Sequence, residues 1–179
     1  MATEDGVMTI DSEGAVDEGL LPDAYDKVVP VEKLVHGEHN PRRVQPTERL
    51  RQAIQRHGDD QALIVRPDPE ADLYHITDGW QRYQAATDCG WTALPVQVYE
   101  TAVAALEATE VASLGRSWST YDWAQYYESL ASELEAGSRQ QLIERVAALT
   151  DGARTAATIR KYLDALSLPG EIHPLLRED

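Results

Sequence analysis

The chain has 179 residues, enough for one ordinary domain or two small ones with a real hydrophobic core. Its 31 acidic residues outnumber 16 basic ones, for a net charge of −15, which excludes a uniformly basic nucleic-acid coat and confines phosphate contacts to local clusters. A single cysteine, Cys89, excludes an intramolecular disulfide, and there is no run of about 18 apolar residues to cross a membrane.

The charge is uneven. Residues 1–26 carry eight acids (Glu4, Asp5, Asp11, Glu13, Asp17, Glu18, Asp23, Asp26) and no base, and they read as an acidic, disordered leader. Two stretches are locally basic: Asn40 to Arg66, with six Arg against three acids, and Ser138 to Leu166, with five bases against three acids. Thirteen of the bases are Arg and only three are Lys (Lys27, Lys33, Lys161). Abundant acids with scarce lysine predict a halophilic surface, one that stays hydrated and soluble where salt screens ordinary repulsion. The N-terminus has neither the basic nor the apolar segment of a secretory signal, so a cytoplasmic location is expected.

Order is predicted to begin at Tyr25–Val35, with a strand around Val28, Val29 and Val31 and a turn over Glu32–Val35. A polar loop, His36–Pro46, follows. Thr47 is a plausible N-cap for a helix over Thr47–His57, with Leu50 and Ile54 one turn apart, and Gly58 ends it. Ala62–Arg66 reads as a strand, Pro67–Asp72 as a turn and Leu73–Thr77 as the return strand of a hairpin. Trp80–Cys89 reads as a helix stopped by Gly90. Leu94–Tyr99 is a further strand, where Pro95 suggests an edge or a strand start. Strand signals then vanish. Helices are predicted at Ala102–Leu114, Tyr121–Glu135, Arg139–Leu149 and Ala156–Leu166, with Ser119 or Thr120 and Ser138 as caps.

The turn Asp78-Gly79-Trp80-Gln81-Arg82 follows a strand and opens a helix, which aims backbone N–H groups and the positive helix end at whatever lies in front. Gly79 permits close backbone approach, and Arg82 is a bidentate donor suited to phosphate. Asn40-Pro41-Arg42-Arg43, in the loop after the first strand, could serve the same anion from another side. On spacing alone, a plain glycine turn with solvated surface arginines is an equal reading. His36, His39 and His57 are too irregularly spaced for a metal site, and core packing is the expected role of Cys89.

The order of these segments resembles the ParB/sulfiredoxin-like domain over about residues 28–100, carried by Asn40-Pro41-Arg42-Arg43, "LIVRP", "ITDGWQRYQAA" and "CGWTALPVQVY". The resemblance implies an α+β fold: a small mixed-sheet domain over 27–100, then an all-helical region over 101–179. It also implies a nucleotide or phosphate pocket lined by Asn40, Arg42, Arg43, Gly79, Gln81, Arg82 and Arg116, with a nucleotide such as CTP, with or without Mg²⁺, as the ligand class. The family usually reads Gly-Glu-Arg-Arg where this chain has Gly79-Trp80-Gln81-Arg82, so weaker phosphate binding or a different ligand is expected. Partition proteins of the family carry Glu-Asn-x-x-Arg on the helix after the last strand. Here Ala112-Ser113-Leu114-Gly115-Arg116 keeps the arginine but not the metal-site pair, which argues against CTP hydrolysis. Sulfiredoxin chemistry needs a cysteine inside the glycine turn, where Trp80 stands.

Arg139–Leu149, a turn and Ala156–Leu166 with its Leu168-Pro169 exit resemble the ParB helix-turn-helix, at about 138–168. The second helix would be the recognition element, exposing Arg154, Thr155, Thr158, Arg160 and Lys161 to double-stranded DNA. The connection, Thr150–Thr155, is longer than usual for the motif. Trp118, Tyr121, Trp123, Tyr126 and Tyr127 read more readily as inter-helix packing than as a base-stacking platform. With the sequence stopping at Asp179, the C-terminal dimerisation domain of a typical partition ParB is not expected, and a homodimer through the first domain, or a partner such as a ParA-like ATPase, is expected instead. The leading expectation is a ParB-like DNA-binding protein of the partition or transcription-regulator type. The alternatives are a ParB-fold enzyme (a nuclease or nucleotide-dependent phosphotransferase, with Glu32, Glu38 and Asp78 the nearest acids) and a module whose acidic leader recruits a partner.

Overall fold

The computed structural model describes residues 22, 24–41, 45–58, 61–114, 118–173 and 176, the side chain of His57 aside. The predicted leader lies almost wholly outside them. The chain divides into two units, Met1–Thr101 and Ala102–Asp179. The fold class is α+β, a mixed sheet with helices followed by helices alone.

The first unit is built on a five-stranded sheet of order β1-β5-β3-β4-β2. The strands are β1 (Lys27–Pro30), β2 (Leu34–His36), β3 (Leu63–Pro67), β4 (Tyr74–Asp78) and β5 (Ala93–Val98). The β3–β4 pair is an antiparallel hairpin, β1 runs antiparallel to β5, and the β2–β4 and β3–β5 pairs are parallel. The hairpin turn is held by Asp68, whose carboxylate accepts from the N–H groups of Glu70 (2.8 Å) and Ala71 (3.0 Å) and meets His75 Nε2 at 2.7 Å. Two helices, α1 (Glu48–His57) and α2 (Trp80–Asp88), belong to this unit. Thr47 caps α1 by accepting from Leu50 N–H, and Arg51 Nε bonds Asp88 Oδ2 at 2.8 Å to tie α1 to α2. Their inner faces join a core of Ile54, Leu63, Val65, Ile76, Ala85, Ala86, Trp91, Leu94 and Val96.

Two expectations need correction. Leu34 and Val35 are not part of a turn: a 3₁₀ turn over Val31–Lys33 leads into β2, which pairs with β4 from Leu34↔Tyr74 to His36↔Ile76. Three residues are too few to display alternation, so only the partner strand makes them a strand. Pro95 is not on an edge, since β5 lies between β1 and β3. Pairing with β3 begins at Leu63↔Val96, one residue past the proline, so its missing N–H costs that ladder nothing.

The second unit contains α3 (Ala102–Ala112), α4 (Thr120–Glu133), α5 (Arg139–Leu149) and α6 (Ala156–Ala165). Ser119, Ser138 and Thr155 cap α4, α5 and α6, each accepting from the N–H three residues on. The core is aromatic: Trp123, Tyr126 and Tyr127 are almost fully buried with Leu106, Leu130, Leu142, Val146 and Ile159. Tyr126 donates to the Leu106 carbonyl at 2.6 Å, which satisfies its buried hydroxyl.

Candidate nucleic-acid interface and phosphate turn

β4 ends at the buried Asp78, and the chain turns into α2 through Gly79 at φ +98°. Gly79 is the N-cap, so it brings no side chain to occupy the amides of the first turn. The turn's own residues are otherwise engaged. Arg82 does not reach outward as expected: its guanidinium donates to the carbonyls of Gln61 and Ala62 and to Asp78 Oδ2 (3.2 Å), and the side chain is only 12% exposed. The reason is local. Asp78 and Arg82 are four residues apart across a helix start, the spacing at which opposite charges meet. Arg82 therefore holds the turn's shape. Gln81 donates to the Gln45 carbonyl at 3.3 Å.

Asn40 is likewise turned into the protein. It is 5% exposed and its amide donates to the Ile76 carbonyl at 3.4 Å, beside the Gly37 N–H at 3.1 Å. It fastens the β2–α1 loop to β4. Arg42 and Arg43, on that same loop, and Arg116 lie outside the described residues. Trp80 stacks on Tyr83 (ring centroids 4.9 Å apart) and receives the edge of His36 at 4.6 Å, with both large rings packed on the sheet core. Cys89 is half-buried and packed on the same core, where burial pushes its thiol up. Among the described residues, no three His, Cys, Asp or Glu side chains gather as a metal site.

In the helical unit, α6 turns Ile159 and Ala165 inward, with Tyr162 and Leu163 half-buried against the core. Ala157, Arg160, Lys161 and Asp164 form its exposed stripe. Thr155 is exposed as the N-cap, and its Oγ1 lies 3.0 Å from that of the half-buried Thr158. Arg139, at the start of α5, donates to Asp164 Oδ1 (2.7 Å) and to the Arg160 carbonyl (3.2 Å), joining the two helices along the same side.

Besides the half-buried Thr158, Arg154 departs from the predicted DNA-facing set. Its side chain is 13% exposed and points inward, with Nε 3.0 Å from Glu110 Oε1 and the guanidinium carbon 3.9 Å from the Trp123 ring centroid. Glu110 is fully buried, and Tyr127 also donates to its Oε1 at 3.2 Å. Burial pushes the Glu110 carboxyl up, opposed by Arg154, and burial raises the Tyr127 hydroxyl too. A buried carboxylate demands a partner, and Arg154 is the cation the fold brings to it. Sequence reading passed over Glu110. The helix Ala102–Ala112 carries two acids, Glu107 and Glu110, among mostly apolar residues, and nothing local marks Glu110 as the buried one.

The profile of the ParB N-terminal domain family matches residues 20–114, more than half of the chain. The chain belongs to the ParB N-terminal domain family. It is 30% identical over 172 residues to a nucleoid occlusion protein of Bacillus mycoides (strain KBAB4), covering 90% of this chain and 55% of the relative. A nucleoid occlusion protein of Bacillus thuringiensis (strain Al Hakam) is 32% identical over 165 residues, covering 86% and 53%. The chain thus spans about half the length of the curated relatives it matches. Among solved structures it is similar to the C-terminally truncated chromosome-partitioning protein ParB of Caulobacter crescentus complexed to the centromeric parS site. That similarity has a TM-score of 0.54 at 25% identity, over 84% of this chain and 77% of the other.

As a ParB-family chain it departs from the family's usual residues at places whose surroundings are now visible. Trp80 replaces an acid with a ring stacked on Tyr83, and Gln81 replaces an arginine with an amide bonded to Gln45. Ala112 is exposed and Ser113 buried where the metal-site pair would stand. Neither carries the carboxylate that Mg²⁺ prefers. No helix among the described residues is long and apolar enough to cross a membrane.

Proposed function

We propose that this ParB-family chain binds double-stranded DNA through α5 and α6, used as a helix-turn-helix with α6 in the major groove. The observation that carries the reading is the outward stripe of α6. Arg160 and Lys161 stand on it, while the intervening apolar residues hold the helix to its own core. The one acid on that stripe, Asp164, is neutralised by Arg139. Thr155 and Thr158 lie at the N-terminal end, the part of a recognition helix that meets base edges. The Caulobacter relative was solved on its centromeric DNA, and the Bacillus relatives act in nucleoid occlusion, which supports a chromosome-associated role. A single helix pair reads one half-site, so a second copy of the chain would supply the other, and a ParA-like ATPase is the partner a partition role implies.

The reading extends to a nucleotide or other phosphate ligand at the first unit. There Gly79 would bring backbone amides to the phosphate, with Arg42 and Arg43 supplying charge. On this reading Asn40, Gln81 and Arg82 shape the site, because their side chains already bond protein atoms.

The test is a mobility shift on a random-sequence duplex pool, run from low to multimolar salt because of the acidic, lysine-poor composition. Enrichment of a defined duplex by the wild type is expected. Arg160→Ala with Lys161→Ala should weaken binding and flatten the salt dependence by about 0.9 in log–log slope for each phosphate left unneutralised. No enrichment, or a double variant that binds as the wild type does, would overturn the reading. Calorimetry with CTP, with and without Mg²⁺, tests the nucleotide part, and no heat under either condition removes it.

A further inference from the structure

We infer that Glu110 and Arg154 form a buried positioning pair that sets the start of α6 against α3 and α4, and that the DNA-facing stripe of α6 depends on this pair. The inference rests on the DNA-binding reading above and adds two residues that do not themselves touch DNA. Arg154 immediately precedes Thr155, the N-cap of α6. Its side chain reaches Glu110 Oε1 on α3 (3.0 Å), the Ser113 carbonyl just past α3 (3.5 Å) and the face of Trp123 on α4. Its backbone N–H donates to Thr150 Oγ1 at 3.1 Å, and Thr150 in turn donates to the Val146 carbonyl on α5 at 2.9 Å. One residue thus binds the first turn of α6 to the other three helices. The long connection from Thr150 to Thr155, unexpected for a plain helix-turn-helix, is what carries Arg154 inward.

Two features argue that the pair is there for position more than for stability. A cation beside a helix N-terminus opposes the helix dipole, so Arg154 is poorly placed for α6 itself unless an acid neutralises it. Burial of both charges is also costly, and the network is incompletely satisfied: Glu110 Oε2 and Ser113 Oγ have no hydrogen-bond partner among the described residues. What an arrangement of this kind secures is one defined geometry. Arg154's planar fork fits a carboxylate and an aromatic face together, which an apolar pair would not orient.

The alternative, that Arg154 reads DNA directly, predicts the opposite sign. Glu110→Gln would then release a cation to the phosphates and tighten binding. The experiment uses the full chain and the duplex enriched by the wild type, at a temperature where circular dichroism shows each variant folded. Glu110→Gln and Arg154→Lys should each lower affinity for that duplex at least tenfold, with an unchanged salt slope. The double variant should be no worse than either single one, because the two act as a unit. Amide exchange should quicken at residues 155–159 and not across the unit. If Glu110→Gln does not fold, Tyr127→Phe, which removes only the hydroxyl donor to Oε1, replaces it and should give a smaller loss of the same kind. Equal or tighter binding by the Glu110 or Tyr127 variant overturns the inference, as does an Arg154→Ala salt slope flattened by about one unit. If the wild type enriches no duplex, the DNA-binding reading itself falls and takes this inference with it. Enrichment by the wild type with no effect of the variants removes the inference alone.

Discussion

Gly79→Ala is the sharpest single perturbation of the strand-to-helix turn, and Gly90→Ala is its built-in control. Both glycines adopt left-handed backbone, at φ +98° and +84°. Either alanine therefore carries a conformational cost of about 1–2 kcal/mol. At Gly90 nothing lies within 4 Å of the added methyl. At Gly79 the methyl would fall 2.5 Å from Leu63 Cδ2 and 2.9 Å from Arg82 Nη2. Leu63 is fully buried and Arg82 is bonded to Asp78, so neither end swings away without disturbing the core or the ion pair. Overpacking of this kind adds about 1–3 kcal/mol. The expected totals are about 1–2 kcal/mol for Gly90→Ala and about 2–5 kcal/mol for Gly79→Ala. With a urea dependence of about 2 kcal/mol per molar, the Gly79 variant should unfold at a midpoint lower than the control's by roughly 0.5–1.5 M. Hydrogen exchange of peptides spanning residues 63–99, followed through a urea titration, isolates the first unit. A Gly79 variant no less stable than the Gly90 variant would refute the argument that Arg82 and Leu63 close over this turn.

Three further outcomes are expected. Thr155→Ala removes the cap of α6 and should cost about 1 kcal/mol in thermal unfolding, near its value at other helix starts; no loss would mean that α6 starts independently of its cap. The hydrogen bond from His75, joined by the N–H groups of Glu70 and Ala71, holds the Asp68 carboxyl below its ordinary value of 3.8. A folded value below the unfolded one contributes stability that is fully present above pH 3.8 and lost as the pH falls through the lowered value. Asp68→Asn should therefore flatten the acid limb of the Tm–pH curve, and an unaltered limb would show that the hairpin turn contributes nothing there. Leu63→Ala, at a fully buried site in the central strand, should cost about 2–5 kcal/mol by urea titration; a loss under about 1 kcal/mol would contradict the core assignment.

What could be read along the chain is what neighbouring residues decide among themselves. Thr47, Ser119 and Ser138 begin helices because their hydroxyls answer amides three residues on, whatever the rest of the fold does. The apolar spacing of Leu142, Val146 and Ile159 marks the buried sides of α5 and α6, and α5 runs over Arg139–Leu149 as its pattern predicts. The order of segments from Asn40-Pro41-Arg42-Arg43 through the glycine turn to the last strand carried the family resemblance over about residues 28–100, and the match over 20–114 agrees with it. Partners far apart in sequence escaped the reading. Leu34–His36 is a strand only because Tyr74–Ile76 lies beside it, and Pro95 is tolerated inside the sheet only because the β3 ladder starts one residue later. Arginines show the division most clearly. From the sequence Arg82 is a candidate for a nucleotide or phosphate pocket, and Arg154 and Arg160 are candidates for DNA. The tertiary structure gives Arg82 to Asp78 and Arg154 to Glu110, and leaves Arg160 on the outer stripe of α6. A charge is committed by the dielectric and the partners around it, and those are set only when distant segments pack together.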